Sequence, residues 1–226
     1  MNKNVWIFIF VIALSFHLFG ILLANETIQF VSKPLIVIGL IGYFIVATKG
    51  TGKGLGTWIV LALFFSLTGD LLLIFQQQKS LFFLLGLSAF LLAHIFYIIF
   101  FHGVRIRESI AGRWWLLLIV VLYYALLMAL LSDYLGNMKL PVRIYGVVIS
   151  FMLMLGLHMY YLKIKNAGWL LLLGALLFVI SDSVLAINKF YRPFEQADFF
   201  TMLTYGIAQL FITKGAAEYI TSVSKR

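Results

Sequence analysis

The sequence predicts an all-α membrane protein, a bundle of eight transmembrane helices, from three observations. Of its 226 residues 63% are hydrophobic and 11% charged, whereas soluble domains carry about 25% charged residues, so there is too little polar surface to coat a globule in water. Apolar runs near the ~20 residues needed to cross a bilayer recur along the whole chain. Charged and turn-forming residues gather in short connectors between those runs, and none is long enough for a soluble domain or a low-complexity tail. Residues 1–226 therefore read as one integral membrane domain.

Each run has its own punctuation. The first span, 5–23, follows Lys3 and could be mistaken for a secretory signal, but Leu22-Leu23-Ala24 lacks the small residue expected two positions before a cut site. It is expected to stay as an uncleaved helix. The second, 34–48, opens at Lys33-Pro34 and is short, with Gly39 and Gly42 inside it. A glycine-rich connector, KGTGKGLG at residues 49–56, leads into the third span, 57–75. The remaining spans are 81–101, 114–132, 141–162, 168–188 and 198–214, each bounded by charged or turn residues.

Charge sets orientation. Eleven basic residues, Lys3, Lys49, Lys53, Arg105, Arg107, Arg113, Lys163, Lys165, Lys214, Lys225 and Arg226, fall on the side of the N-terminus, and six, Lys33, Lys79, Lys139, Arg143, Lys189 and Arg192, on the other. Basic residues collect in cytoplasmic loops, so both termini are expected in the cytoplasm. The same rule explains the net charge of +9 without nucleic acid. With no Cys there is no disulfide, thiol chemistry or Cys-ligated metal. Short termini without added targeting signals suggest a bacterial cytoplasmic membrane.

A repeat is visible. ALFFSLTGDLLLI at 62–74 aligns with GALLFVISDSVLA at 174–186, setting Asp70 against Asp182, while Phe90 and His94 align with Tyr205 and Gln209, and Pro34 with Pro141. Two halves of four helices, 1–113 and 114–226, would insert in the same orientation about an axis along the membrane normal.

Those aspartates dominate the functional reading, since an intramembrane carboxylate costs about 2.5–3.5 kcal/mol and is by default functional. Counting ~1.5 Å of rise per residue puts Asp70, Asp182 and Tyr205 some 8–10 Å below the outer boundary. Ser66 shares a helix face with Asp70, as Thr201 and Gln209 do with Tyr205. Lys33, Arg143 and Tyr145 approach from the same side. His94 and Tyr97 share a face, but the count sets His94 about 20 Å from the outer edge, roughly 10 Å below the acids, which favours an interior hydrogen bond over a catalytic base. A purely structural alternative is that each Asp pairs with Lys33 or Arg143, or with Ser and Tyr hydroxyls, to lock the bundle.

Lys33-Pro34, FSLTGDLLL at 65–73, Phe90-xxx-His94-xx-Tyr97, GALLFVISDSVLA at 174–186 and TYGIAQ at 204–209 occur in that order, and the chain resembles the YhhN family of membrane proteins, whose characterised members are lysoplasmalogenases. The resemblance covers almost the whole chain. It implies hydrolysis of the vinyl ether of an alkenyl-lysophospholipid to a fatty aldehyde and glycerophosphoethanolamine or glycerophosphocholine, with a lysophospholipid substrate drawn from membrane lipids and no cofactor.

The chemistry suits two carboxyl groups. A vinyl ether hydrolyses when its β-carbon is protonated, which needs one carboxyl as general acid and one carboxylate to steady the cation and activate water, the division of labour of glycosidases. Asp70 and Asp182 match the family's GD and SD motifs and are the expected catalytic pair. Which one donates the proton is left open. Asp182 has Ser181 and Ser183 beside it and Asp70 has Gly69 and leucines, which leans toward Asp70 as donor. Expected substrate-binding residues are Lys33 at the phosphate, Tyr145 near the headgroup, and Tyr205 and Gln209 at water or the ether oxygen, with Ser66, Ser181, His94 and Tyr97 in support. Snorkelling of Lys33 and helix-to-helix hydrogen bonds from Tyr205 and Gln209 are the structural alternatives.

Other chemistries find less. No two of His17, His94, His102 and His158 stand at i, i+4, and no metal site is expected. There is no G-x-S-x-G elbow, and GTGKGLG lacks the spacing and preceding strand of a P-loop. The rival function is a proton-coupled transporter or lipid-binding membrane protein using the same Asp pair.

Overall fold

The structure, a computed structural model, describes residues 2–52, 54–76 and 78–225. Lys53 and Arg226 of the orientation assignment lie outside the described residues. Eight α-helices follow in order: α1 Lys3–Leu22, α2 Glu26–Ala47, α3 Gly56–Ile74, α4 Ser80–Arg107, α5 Trp114–Leu131, α6 Lys139–His158, α7 Lys165–Ala186 and α8 Ala197–Ser224. Seven of them, α1 to α7, are long and apolar enough to cross a membrane by length and composition.

The eighth predicted span, 198–214, is a helix with a different end. α8 is not among those seven, and it does not stop at Lys214 but continues to Ser224. It packs most heavily on α7 and also touches α1, α2 and α3. A helix enclosed by neighbours can carry polar residues that a lipid-facing helix cannot, and α8 holds Gln209 and Thr213 fully buried. Its close approach to α7 depends on glycine. A Cβ added to Gly174 would stand 2.9 Å from the Ile212 backbone nitrogen and 3.0 Å from the Ala208 carbonyl oxygen. Small residues let membrane helices meet backbone to backbone in this way.

The second helix also differs from the sequence expectation. It starts at Glu26, eight residues before the predicted boundary, because the Asn25 side chain caps it by accepting from Ile28 N at 3.0 Å. An Asn cap satisfies a backbone donor that would otherwise be orphaned. Pro34 therefore lies inside α2 and removes one ladder hydrogen bond there, and Lys33 stands two turns into the helix rather than at its mouth. Pro141, by contrast, sits in the first turn of α6, so the two prolines occupy unlike helix positions.

Beyond α7 the chain winds through a π-helical turn, Ile187–Tyr191, a distortion common beside functional sites. The α1–α2 and α3–α4 connectors and the first turn of α8 lie at one end of the bundle, where Ala24, Gln76 and Asp198 border a single cavity.

Candidate active site

The cavity holds about 770 Å³, within the usual range for small-molecule sites. Exposed Glu26, Gln78 and Asp198 and half-buried Gln29 and Gln76 form its mouth. Leu73, Phe83, Leu87, Phe90, Val142 and Phe190 give it an apolar wall. Asp70 from α3 and Asp182 from α7 both line it. Among the described residues no three His, Cys, Asp or Glu side chains come together as a metal-holding group.

Each acid is held by two partners from two other helices. Asp70, 2% exposed, accepts a hydrogen bond from the Tyr205 hydroxyl of α8 at 2.7 Å through Oδ2. The Lys33 ammonium of α2 stands 3.7 Å from its Oδ1. Asp182 Oδ2 accepts a short hydrogen bond from the Tyr145 hydroxyl of α6. His94 Nε2 of α4 lies 3.7 Å from the same oxygen. Lys33 is thus an ion partner of the acid, 15% exposed, and Tyr145 an acid partner rather than only a neighbour of the mouth. Arg143 is exposed and takes no part in these pairs.

His94 overturns the depth count, which sets it about 10 Å from the acids. Rise along a helix measures depth only where the helix runs along the bilayer normal, so counts made separately along α4 and α7 share no common zero. The interior hydrogen bond is present: His94 Nδ1 donates to the Phe90 carbonyl at 2.7 Å.

Behind the cavity lies a second polar layer. The Tyr97 hydroxyl donates to Gln209 Oε1 at 2.5 Å, and Gln209 Nε2 donates to Ser66 Oγ at 2.9 Å. All three residues are fully buried, and neither they nor His94 line the cavity. Ser181 Oγ donates to the Thr201 carbonyl at 2.9 Å, tying α7 to α8.

Two cavity residues escape the sequence reading of the site. Thr201 borders the cavity with its hydroxyl oxygen buried and without a hydrogen-bond partner, and its i, i+4 spacing from Tyr205 was the available signal. His17 of α1 also lines the cavity, donating from Nδ1 to Ser32 Oγ at 3.0 Å while Ser32 donates to the Ile28 carbonyl. Nothing in the local sequence marks it, since the contact exists only once α1 packs on α2.

Known proteins place the chain. It is 36% identical over 165 residues to lysoplasmalogenase TMEM86B of Homo sapiens, covering 69% of this chain and 61% of the relative. It is 34% identical over 172 residues to lysoplasmalogenase TMEM86A of Homo sapiens, covering 72% and 66%. With the lysoplasmalogenase of Mycobacterium tuberculosis it shares 32% over 161 residues, covering 70% and 59%. The aligned part thus spans about three fifths of the human TMEM86B chain, 61%. No solved structure matches the chain. The YhhN family matches residues 28–216, from the first turn of α2 through most of α8 and across all the acid partners, and the chain belongs to that family.

Proposed function

We propose that this chain hydrolyses the vinyl ether of alkenyl-lysophospholipids to a fatty aldehyde and a glycerophosphoethanolamine or glycerophosphocholine, with Asp70 and Asp182 as the acid–base pair. The observation that carries the reading is one cavity, lined by both carboxyl groups, with a polar mouth and an apolar wall. The names of the relatives supply the reaction class. In this arrangement the headgroup lies at the mouth near Glu26 and Asp198, and the alkenyl chain lies along Leu87, Phe90 and Val142.

The partners divide the labour between the acids. A Lys33 ammonium 3.7 Å from Asp70 matches the negative form of that carboxyl, because an opposite charge within ~4–6 Å favours ionisation. Among the described residues no Lys or Arg forms an ion pair with Asp182. The roles therefore run opposite to the lean drawn from flanking residues: Asp182 carries the proton and Asp70 is the carboxylate.

Asp182 gives its proton to the β-carbon, and the π pair forms the new C–H bond. The resulting oxocarbenium ion is steadied by Asp70, as in glycoside hydrolysis. Water adds to the α-carbon and loses a proton to Asp70, giving a hemiacetal. In its collapse Asp70 returns that proton to the leaving glycerol oxygen while Asp182 takes the hydroxyl proton. One water is consumed and both acids are restored.

The two-half organisation is part of the proposal. Lys33 and Tyr145 are 145 − 33 = 112 positions apart, the same as Asp70 and Asp182 at 182 − 70 = 112, so each acid draws one partner from the helix before it at matching register. The others, Tyr205 for Asp70 and His94 for Asp182, cross between halves. Both termini in the cytoplasm then put the cavity mouth at the outer leaflet, a placement that cysteine labelling beside Lys79 tests.

An enzyme and a transporter built on the same acids separate on turnover. The purified protein in detergent, with no gradient, is expected to consume alkenyl-lysophosphatidylethanolamine. Proton-dependent lipid movement seen only in sealed vesicles, without aldehyde, favours transport instead.

A further inference from the structure

His94 stands outside the reaction just described. Its ring is completely buried, and it is wedged edge-on between Tyr145 and Phe178, with ring centroids at 5.3 Å and 4.7 Å. A carbonyl only accepts, so the bond to Phe90 at 2.7 Å fixes the hydrogen on Nδ1. In the neutral ring that leaves a lone pair on Nε2, and Nε2 has no hydrogen-bond partner among the described residues. It points at Asp182 Oδ2, 3.7 Å away. Burying an acceptor with nothing to accept costs about 1–3 kcal/mol, and a proton on Asp182 is the available donor.

Resting on the acid–base reading above, we infer that His94 and Asp182 hold one proton between them, His94 being a positioning residue that seats it away from the cavity between turnovers. Asp182 lines the cavity and His94 does not, so the carboxyl lies between ring and substrate. A separation of 3.7 Å exceeds a hydrogen bond. The second side-chain torsion of Asp is broad and twofold, and a turn about it carries the carboxyl O–H from the ring toward the β-carbon of the substrate. Tyr145, donating to Oδ2, steadies whichever oxygen faces it. When hemiacetal collapse returns a proton to Asp182, the O–H swings back to Nε2 and is kept from cavity water.

Of the charged and titratable groups around this pair, Tyr145 of α6 bonds to Asp182 itself and the others belong to other bonds, Tyr123 of α5 to Ser183 Oγ at 3.0 Å. Tyr97 of α4 donates to Gln209 of α8. Asp70 of α3 is held by Lys33 of α2 and by Tyr205 of α8. No fixed cation among the described residues stands beside Asp182 to replace the shared proton.

Two measurements on the full chain test this. Nitrogen-15 NMR of histidine-labelled protein in detergent reads His94 directly and needs no activity. The His94 Nε2 resonance is expected to be pH-dependent in wild type and to lose that dependence in Asp182→Asn. Identical titration of Nε2 in the two proteins overturns the inference, whether or not the chain releases aldehyde. In the second arm, His94→Gln keeps side-chain bulk and an acceptor but holds no proton. Its kcat is expected to fall about tenfold or more at unchanged KM, with a displaced pH profile. A folded His94→Gln protein whose kcat and pH profile superimpose on wild type also overturns it. Failure of wild type to release aldehyde in any condition counts against the hydrolase reading and leaves the NMR arm standing.

Discussion

The Tyr205 hydroxyl donates to Asp70 Oδ2 at 2.7 Å although the two residues are 135 positions apart. The bond joins the last helix to the third across the cavity wall, and Tyr145 makes the corresponding bond to Asp182.

Tyr205→Phe keeps the ring packed against Phe90 and Phe178 and deletes only the donor. A hydrogen bond to a charged group contributes about 1.5–3 kcal/mol, so the rate of aldehyde release is expected to drop roughly tenfold to a hundredfold. Steady-state kinetics check this. A rate unchanged from wild type removes Tyr205 from the site.

Lys33 and Asp70 should behave as a coupled pair. Removing one partner of a buried ion pair costs about 3–5 kcal/mol because a charge is stranded, whereas replacing both is far milder. Lys33→Met is therefore expected to lower the melting temperature in detergent, and Lys33→Met with Asp70→Asn to recover much of it while staying inactive. Additive losses in the double variant contradict the pairing.

The α7–α8 contact gives a prediction independent of chemistry. Gly174→Ala places a methyl 2.9–3.0 Å from the backbone of α8 at Ile212 and Ala208, where neither atom can turn aside. Overpacking of this kind costs about 1–3 kcal/mol. Thermal unfolding should register it, and a melting point equal to wild type means the helices are not so close.

Filling the apolar wall tests where the chain lies. Ala186 lines the cavity next to Phe190, and Ala186→Phe is expected to raise KM for long alkenyl chains about tenfold or more, by the scale of 1–3 kcal/mol per methylene in an apolar pocket. Short-chain substrates should suffer less. Equal effects at all chain lengths place the chain elsewhere.

The parts of this protein legible in its sequence are those fixed by composition and local spacing. Asp70 and Asp182 stand out because carboxylates are rare in apolar helices, and Tyr205 because it falls at the same depth. The starts of α3 and α5 are marked by glycine and arginine connectors. What failed did so for physical reasons. Pro34 reads as a helix start until the Asn25 cap lengthens α2 by two turns, which moves Lys33 into the bundle beside Asp70. Lys214 reads as a helix end because charge marks a membrane boundary, yet α8 runs on beside α7 with Tyr219 fully buried. His94 was misplaced in depth because rise along one helix says nothing of its tilt or overhang. Thr201 carries a local signal, its i, i+4 spacing from Tyr205, whereas His17 joins the cavity through a contact between helices that no local pattern encodes.

The measurement that bears most directly on the paired acids is aldehyde release from alkenyl-lysophosphatidylethanolamine by the purified protein in detergent. It is run beside Asp70→Asn and Asp182→Asn variants whose folding is verified by their melting transitions. Release by wild type, with losses of at least about a hundredfold in each variant, is the expected result. Undiminished release by either folded variant, or none from folded wild type across pH and headgroups, contradicts vinyl ether hydrolysis by this pair.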